Sequence, residues 1–180
     1  MTERKAPPAF DIQPLFASGL RVSASDISGN GLFVGLDVAA GTVLIRFGGA
    51  FFHRDARHTA ATHPSTSVGI AENIILAEPS VGAPDLSDFL NHSCDPNCGL
   101  RDALTMVAAT DIAVGTELTI DYAYWEPDEE WVLRAGCRCG ARSCRKVVSG
   151  KDWQMPEVAA RILRWGSPFL RRRVYSIESR

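Results

Sequence analysis

Residues 88–98 read Asp88-Phe89-Leu90-Asn91-His92-Ser93-Cys94-Asp95-Pro96-Asn97-Cys98. Apolar residues lead into a dense run of polar, turn-forming and metal-binding side chains. Asparagine, aspartate, serine and proline each favour turns, so this composition predicts a tight, irregular segment and not the interior of a helix or strand. The segment contains two of the five cysteines of the chain, and these thiols need partners.

The remaining three cysteines form a compact cluster downstream. They are Cys137, Cys139 and Cys144. A structural Zn²⁺ site takes four tetrahedral ligands, so three thiolates leave the site incomplete. Cys94 and Cys98 are the two available fourth ligands, and either would tie the downstream knuckle to the 88–98 segment. An odd number of cysteines without a secretion signal indicates a reducing compartment, where metal binding is favoured over disulfides.

The composition is typical of one soluble globular domain. A chain of 180 residues with 46% apolar and 22% charged side chains is long enough to bury a core. Residues 1–150 carry 12 basic and 18 acidic side chains (net −6), while residues 151–180 carry 7 and 3 (net +4). This basic tail predicts at most a weak contact with nucleic acid or chromatin.

No apolar run is long enough for a membrane span, and the first fifteen residues lack the apolar stretch of a signal peptide. We therefore expect a cytoplasmic protein, or a nuclear one in a eukaryote, that is not secreted.

Short apolar or alternating runs outnumber helical patterns and predict a β-rich fold. They cover residues 20–24, 32–36, 67–77, 104–109 and 118–122, with a turn at 29–31 and a loop or short helix at 53–66. The segments 37–44 and 111–118 are identical at five of eight places, and each predicts a glycine turn before a strand. Helices are predicted from Pro127 to the stop at Gly136, and from Pro156 to Trp165.

Three motifs resemble, in order and spacing, those of the SET-domain protein lysine methyltransferases with a post-SET zinc knuckle. They are Asn91-His92-Ser93-Cys94-x-Pro-Asn97-Cys98, Gly115-Thr-Glu117-Leu118-Thr119-Ile-Asp121-Tyr122 and Cys137-x-Cys139-Gly140-x3-Cys144-Arg145. Gly29-Asn30-Gly31-Leu32-Phe33 is similar to the N-terminal Gly-x-Gly motif of that family. The resemblance spans roughly residues 19–148.

The resemblance implies a mainly β fold, a SET-domain pseudoknot of several small sheets with few short helices, then a zinc-bound post-SET knuckle and a C-terminal helix. It implies S-adenosyl-L-methionine (AdoMet) as methyl donor and a channel where the lysine of a protein substrate meets it. The implied units are an N-terminal arm (1–18), a SET domain (19–135), the post-SET zinc knuckle (136–153) and a basic C-terminal helical extension (154–180).

Site residues follow from the resemblance by position. Tyr122 is implied as the catalytic phenol. The donor site is implied at Gly29, Asn30, Gly31, Leu32, Asn91, His92 and Tyr122, with Trp153 as a candidate to cover the adenine. One structural Zn²⁺ is implied at Cys94, Cys137, Cys139 and Cys144. Candidates for an aromatic channel wall are Phe33, Tyr124 and Trp125.

Two positions depart from the family pattern. Asp88 stands where an arginine is common, and Ile120 stands where phenylalanine or tyrosine is common and is linked to the number of methyl groups added. The sequence therefore carries two hypotheses. The first is an AdoMet-dependent methyltransferase acting on lysine in a histone, histone-like or ribosomal protein. The second is a catalytically weak SET-scaffold zinc module that acts in protein or nucleic-acid interaction.

Overall fold

The computed structural model describes residues 12–58, 62–79 and 84–178. Its strands are β1 (Leu15–Phe16), β2 (Leu20–Ala24), β3 (Asn30–Val34), β4 (Val43–Arg46), β5 (Ala50–His53), β6 (Thr62–Ala71), β7 (Ile74–Pro79), β8 (Asn91–His92), β9 (Cys98–Leu100), β10 (Thr105–Ala108) and β11 (Glu117–Ile120). The α-helices in these ranges are α1 (Pro156–Trp165) and α2 (Pro168–Glu178). Single 3₁₀ turns cover Arg54–His58, Leu86–Phe89, Tyr122–Tyr124 and Asp152–Gln154. The prediction of a mainly β fold with few helices, one of them C-terminal, is confirmed.

The described strands form three small sheets, in the orders β1-β4-β10-β9, β2-β3-β11-β8 and β5-β7-β6. The pairing of β8 with β11 is parallel, with Asn91 opposite Thr119 and His92 opposite Ile120. This register places the Asn91-His92 pair beside the strand that ends just before Tyr122.

The duplicated turn behaves as predicted. Gly41 and Gly115 both have a φ of +83°, which a side chain would strain. The two copies also bind each other, because Asp37 Oδ1 accepts a backbone hydrogen bond from the second copy at 2.7 Å and Asp111 Oδ1 accepts one from the first at 2.8 Å. One turn used twice therefore fastens two sheets together.

One hydrophobic core joins the strands to both α-helices. Leu118 of β11, Ile162 of α1 and Leu170 of α2 are all 0% exposed and belong to one cluster. A smaller cluster contains Cys94, Cys137 and Val148. The C-terminal helices are thus part of the main core, and the predicted division at residues 18, 135 and 153 stays a prediction.

The predicted helix between Pro127 and Gly136 is wrong. Gly136 has a φ of +67° in a turn, and the chain before it pairs with a later segment. Leu133 donates its N–H to the carbonyl of Val148, and Gly150 donates to the carbonyl of Trp131, both at 2.9 Å. Because these tertiary hydrogen bonds and the packing around Val148 outweigh local helix signals, the segment is extended and irregular.

Some strand boundaries also differ from the prediction. Residues 67–77 form parts of two strands, β6 and β7, which a turn at 72–73 separates. The first glycine turn overlaps β3, which begins at Asn30. Residues 1–11 of the predicted arm and residues 59–61 of the predicted loop lie outside the described residues. Across the described ranges, the structure has no helix with the length and apolar character needed to span a membrane.

Candidate functional site

Asn91, His92 and Tyr122 meet in one cleft, at the end of the parallel β8–β11 pair. The cleft has a volume of about 90 Å³. One side is lined by Ile27 and Ser28, and the other by Leu133, Ala135, Gly136, Cys137 and Arg138. The loop before β3 and the cysteine knuckle therefore face each other across the Asn91-His92 pair.

The amide of Asn91 holds the glycine loop in place. Its Nδ2 lies 3.1 Å from the carbonyl oxygens of both Ser28 and Asn30, and 2.7 Å from Glu117 Oε1. Gly29, with a φ of +50°, lies between the two carbonyls. Asn91 thus fixes the backbone of the predicted donor loop.

Glu117 is a positioning residue for the same loop that the sequence reasoning did not single out. Its carboxylate accepts hydrogen bonds from the Ser25 hydroxyl at 2.8 and 2.9 Å as well as from Asn91. It packs directly over Gly31, where an added Cβ would lie only 2.1 Å from Glu117 Oε1. Gly31 is therefore required for close packing. The only sequence signal was the position of Glu117 inside a quoted motif.

Tyr122 presents a half-buried, neutral phenol. Its hydroxyl donates a hydrogen bond to the carbonyl of Leu90 at 2.8 Å. Burial raises the pKa of Tyr122 to about 12, and the charges of Cys137 and Glu117 act in the same direction. At physiological pH the phenol therefore keeps its proton.

His92 connects this phenol to the cysteine cluster. Its Nδ1 accepts the backbone N–H of Tyr122 at 3.2 Å, and its Nε2 lies 3.3 Å from Cys94 Sγ. Burial lowers the pKa of His92 to about 4, although nearby Asp121 opposes that shift. The ring is therefore neutral, and because Nδ1 accepts, its proton sits on Nε2 and points at the sulfur.

The four cysteines Cys94, Cys137, Cys139 and Cys144 place their sulfurs within 4.8 Å of one another. A tetrahedral zinc ion with sulfurs at about 2.3 Å requires sulfur–sulfur distances of about 3.8 Å. The Cys94–Cys137 distance is 3.8 Å. Backbone N–H groups of Cys94 and Arg145 point at sulfurs at 3.4 and 3.3 Å, as suits thiolates. This set fits a zinc ion.

Cys98 lies apart from the metal cluster. It is 0% exposed in β9, and its thiol donates to Asn97 Oδ1 at 3.3 Å. Burial raises the pKa of Cys98 to about 12, so the thiol stays protonated. Of the two candidates for the fourth ligand, the structure brings Cys94 to the late cysteines.

Arg145 ties the knuckle to the strand end beside Tyr122. Its guanidinium makes two hydrogen bonds of 2.7 Å to the carboxylate of Asp121, which is 0% exposed. Its Nε lies 2.7 Å from Asp152 Oδ2, on the segment leading into α1. Asp121 raises the pKa of Arg145 despite the cost of burial, so the guanidinium remains charged. Arg138 and Arg142, the other two arginines beside the late cysteines, are exposed.

Trp125 and Trp131 flank the phenol. The ring of Trp125 stacks on Tyr122 with centroids 5.7 Å apart, and Trp131 meets the same ring edge-on at 6.2 Å. Trp131 was not a predicted wall residue. Tyr124, a predicted one, is 1% exposed and packs in the main core. Phe33 is half-buried in β3, opposite Glu117.

The remaining predicted donor residues lie in different surroundings. Asn30 is exposed, whereas Leu32 is 0% exposed within the core. Trp153 is 7% exposed in the core, with the guanidinium of Arg173 over its ring at 5.3 Å, and it does not line the cleft described above. Its predicted contact with adenine stays a prediction.

The family model described as the SET domain matches residues 29–123. This span is more than half of the 180-residue chain. The chain belongs to the SET-domain family. Both Asn91-His92 and Tyr122 lie inside the matched range, and the knuckle follows it.

Relatives that are similar to this chain are named histone-lysine N-methyltransferases. The chain is 30% identical over 146 residues to histone-lysine N-methyltransferase ATX2 of Arabidopsis thaliana, covering 74% of this chain and 13% of that protein. It is 28% identical over 141 residues to histone-lysine N-methyltransferase trithorax of Drosophila virilis, covering 71% of this chain and 4% of that protein. The chain thus spans only a small part of these curated relatives.

A solved structure shares the fold of this SET domain. It is a crystal structure of KRYPTONITE in complex with mCHH DNA, an H3(1-15) peptide and SAH. The TM-score is 0.55 at 24% identity, covering 74% of this chain and 30% of that one. The likeness supports the fold, including its several small sheets.

Proposed function

We propose that the protein transfers methyl groups from AdoMet to the side-chain amine of lysine in a protein substrate. One observation carries the proposal: the neutral phenol of Tyr122 stands in the cleft formed by Asn91-His92, the glycine loop and the knuckle. The family membership of the chain and the names of its relatives support the same reaction.

The cleft, at about 90 Å³, has room for part of a donor molecule and offers it polar groups. Ser28, Asn91, His92 and Arg138 are among the residues that line the cleft. A Cβ at Gly29 would meet nothing within 4 Å, so there is open space beside this loop. We assign donor contacts to the backbone of residues 28–32 and to Asn91-His92. AdoMet would supply an electrophilic methyl group on a sulfonium.

The residues of the chain would act by alignment. A lysine amine attacks only when neutral, and the half-buried, aromatic surroundings of Tyr122 would lower the pKa of an amine that enters them. The Tyr122 hydroxyl, which now donates to the Leu90 carbonyl, would orient the nitrogen lone pair towards the methyl carbon. The nitrogen–carbon bond forms as the carbon–sulfur bond breaks, and the amine proton leaves to solvent. Trp125 and Trp131 would exclude water and attract a methylated ammonium.

The test pairs calorimetric AdoMet binding with methyl transfer to histones and a panel of basic proteins. We expect Tyr122→Phe to lower the transfer rate by about 100-fold or more with AdoMet affinity nearly unchanged. Tyr175→Phe is the matched control, because Tyr175 is 56% exposed on α2. A wild-type protein that binds AdoMet but methylates nothing, or does not bind it, would favour the second hypothesis, a SET-scaffold zinc module.

The two departures from the family pattern have local explanations. Asp88 Oδ2 accepts the backbone N–H of Asp85 at 2.9 Å and closes the cap of the Leu86–Phe89 turn. Ile120 is 0% exposed beside His92 in the parallel pair. Neither side chain blocks the cleft, so we retain catalysis as the proposed function.

Histones are the first substrates to try, because the matched relatives are named for them. Histone-like and ribosomal proteins follow. A weak contact of the basic tail with nucleic acid would depend on Arg172 and Arg164, which are exposed. The guanidinium of Arg171 instead binds the carbonyls of Gly166 and Leu100 at 2.7 and 2.8 Å. An association constant that does not change with salt would exclude this contact.

A further inference from the structure

Arg173 of α2 lies where three segments near the aromatic site converge. Its guanidinium forms an ion pair with Glu72, in the turn between β6 and β7. It also donates to the carbonyl of Pro127 at 3.2 Å and lies 3.8 Å from the carboxylate of Glu129. Its planar group covers the ring of Trp153 at 5.3 Å. The side chain is only 13% exposed, so solvent screens these contacts weakly.

The segments that Arg173 joins continue directly into the wall around Tyr122. Gly69 of β6 packs so closely on Trp125 that an added Cβ would lie 1.9 Å from the Trp125 carbonyl oxygen. Trp125 in turn stacks on Tyr122. Movement of the β6–β7 hairpin relative to residues 125–129 would therefore change the position of the Trp125 ring.

We propose that Arg173 is a positioning residue for the part of the site around Tyr122 that would receive the substrate lysine. From α2, Arg173 holds the β6–β7 hairpin and residues 125–129 in fixed positions relative to each other. This inference rests on the proposed function. The cleft beside Asn91-His92 is lined by other residues, on the Ser28 loop and the knuckle. Of the contacts of Arg173, only Trp153 is a predicted donor residue, and Trp153 does not line that cleft. We therefore expect Arg173 to affect binding of the protein substrate, through the position of Trp125, and not binding of AdoMet.

The first experiment compares Arg173→Gln with Arg172→Gln, its exposed neighbour in the same helix. We expect Arg173→Gln to raise KM for the protein substrate by about tenfold, because it removes charged hydrogen bonds that fix the wall. The Kd for AdoMet and the zinc content should stay within twofold of wild type. Arg172→Gln should change none of these. Arg173→Lys should restore part of the loss, since lysine keeps the charge without the planar fork.

Hydrogen exchange gives a readout that does not depend on activity. Arg173→Gln should speed exchange in residues 67–79 and 125–131 and leave residues 91–98 and 137–145 unchanged. Glu72→Gln should reproduce the effect in residues 67–79. A substrate KM within twofold of wild type together with unchanged exchange would overturn the inference, as would an equal loss of AdoMet and substrate affinity. Wild-type protein without methyl transfer would overturn the proposed function instead, and the exchange result would still decide whether Arg173 holds the hairpin.

Discussion

Replacing Arg145 by methionine tests how the cysteine knuckle is joined to the end of β11, just before Tyr122. The substitution keeps an apolar stem but removes both 2.7 Å hydrogen bonds to Asp121 and the 2.7 Å ion pair with Asp152. Asp121 is 0% exposed, so its carboxylate would stay buried with Arg161, at 3.7 Å, as its remaining cation among the described residues.

Breaking a buried ion pair by removing one partner costs about 3–5 kcal/mol, because the other charge is left uncompensated. Arg161 compensates Asp121 only from a distance, and the buried Asp152 also loses a cation, so the expected loss is at least about 3 kcal/mol. For a chain of this size each kcal/mol lowers Tm by about 2–4 °C, so Arg145→Met should lower Tm by about 6–12 °C or more.

The assay is thermal and urea unfolding followed by circular dichroism at pH 7, with Arg142→Met as control, since Arg142 is exposed in the same knuckle. Zinc content should remain one ion per chain, because the backbone N–H of Arg145 still reaches Cys94. Adding Asp121→Asn to Arg145→Met should recover part of the loss, since the buried charge is gone. A loss below about 1 kcal/mol for Arg145→Met, or full additivity in the double variant, would refute the reasoning.

Three further predictions follow from the same geometry. Cys94→Ser should release zinc and weaken AdoMet binding at least tenfold, measured by metal analysis and calorimetry, whereas Cys98→Ser should retain one zinc ion; equal zinc content in both would contradict the cluster. Gly31→Ala should destabilise the fold by about 1–3 kcal/mol in urea unfolding, because its methyl group would overlap the Glu117 carboxylate; a neutral result would show that this carboxylate moves freely. The pKa of Tyr122 is raised to about 12, so its contribution to stability is complete below pH 10 and is lost as the pH rises towards 12. The free energy of unfolding should therefore fall less steeply with pH over that range in Tyr122→Phe than in wild type. Identical slopes in the two proteins would contradict this prediction.

Local chemistry in the sequence was enough to predict several features. The spacing of the late cysteines predicted a metal site with a distant fourth ligand, because zinc demands four ligands wherever they lie in the chain. The repeated glycine turn was predictable because a positive φ is a local demand. The helix at Pro156–Trp165 was predictable from its own apolar stripe and its proline start.

Features that depend on distant partners could not be predicted. The acidic residues after Pro127 are typical of a helix start, yet the pairing of Leu133 with Val148 determines that segment. Arg145 was predictable only as the last residue of the cysteine motif, and its partners were not predictable, because Asp121 follows β11 and Asp152 precedes α1. The core position of Trp153 had no local signal either, because it depends on contacts with residues distant in the sequence, such as Arg173 of α2.

The position of His92 shows why the metal centre and the phenol belong to one unit. Because Nδ1 accepts the backbone N–H of Tyr122, the neutral ring carries its proton on Nε2, from which it can donate to Cys94. A zinc ion bound at the four cysteines would keep Cys94 as a thiolate and thereby strengthen the acceptor for that proton. The resulting ring orientation fixes the backbone from which the phenol projects. Because Arg145 joins the same knuckle to Asp121, the residue before Tyr122, the metal centre reaches the phenol through two independent connections. Loss of zinc should therefore displace the phenol even when the main core stays folded.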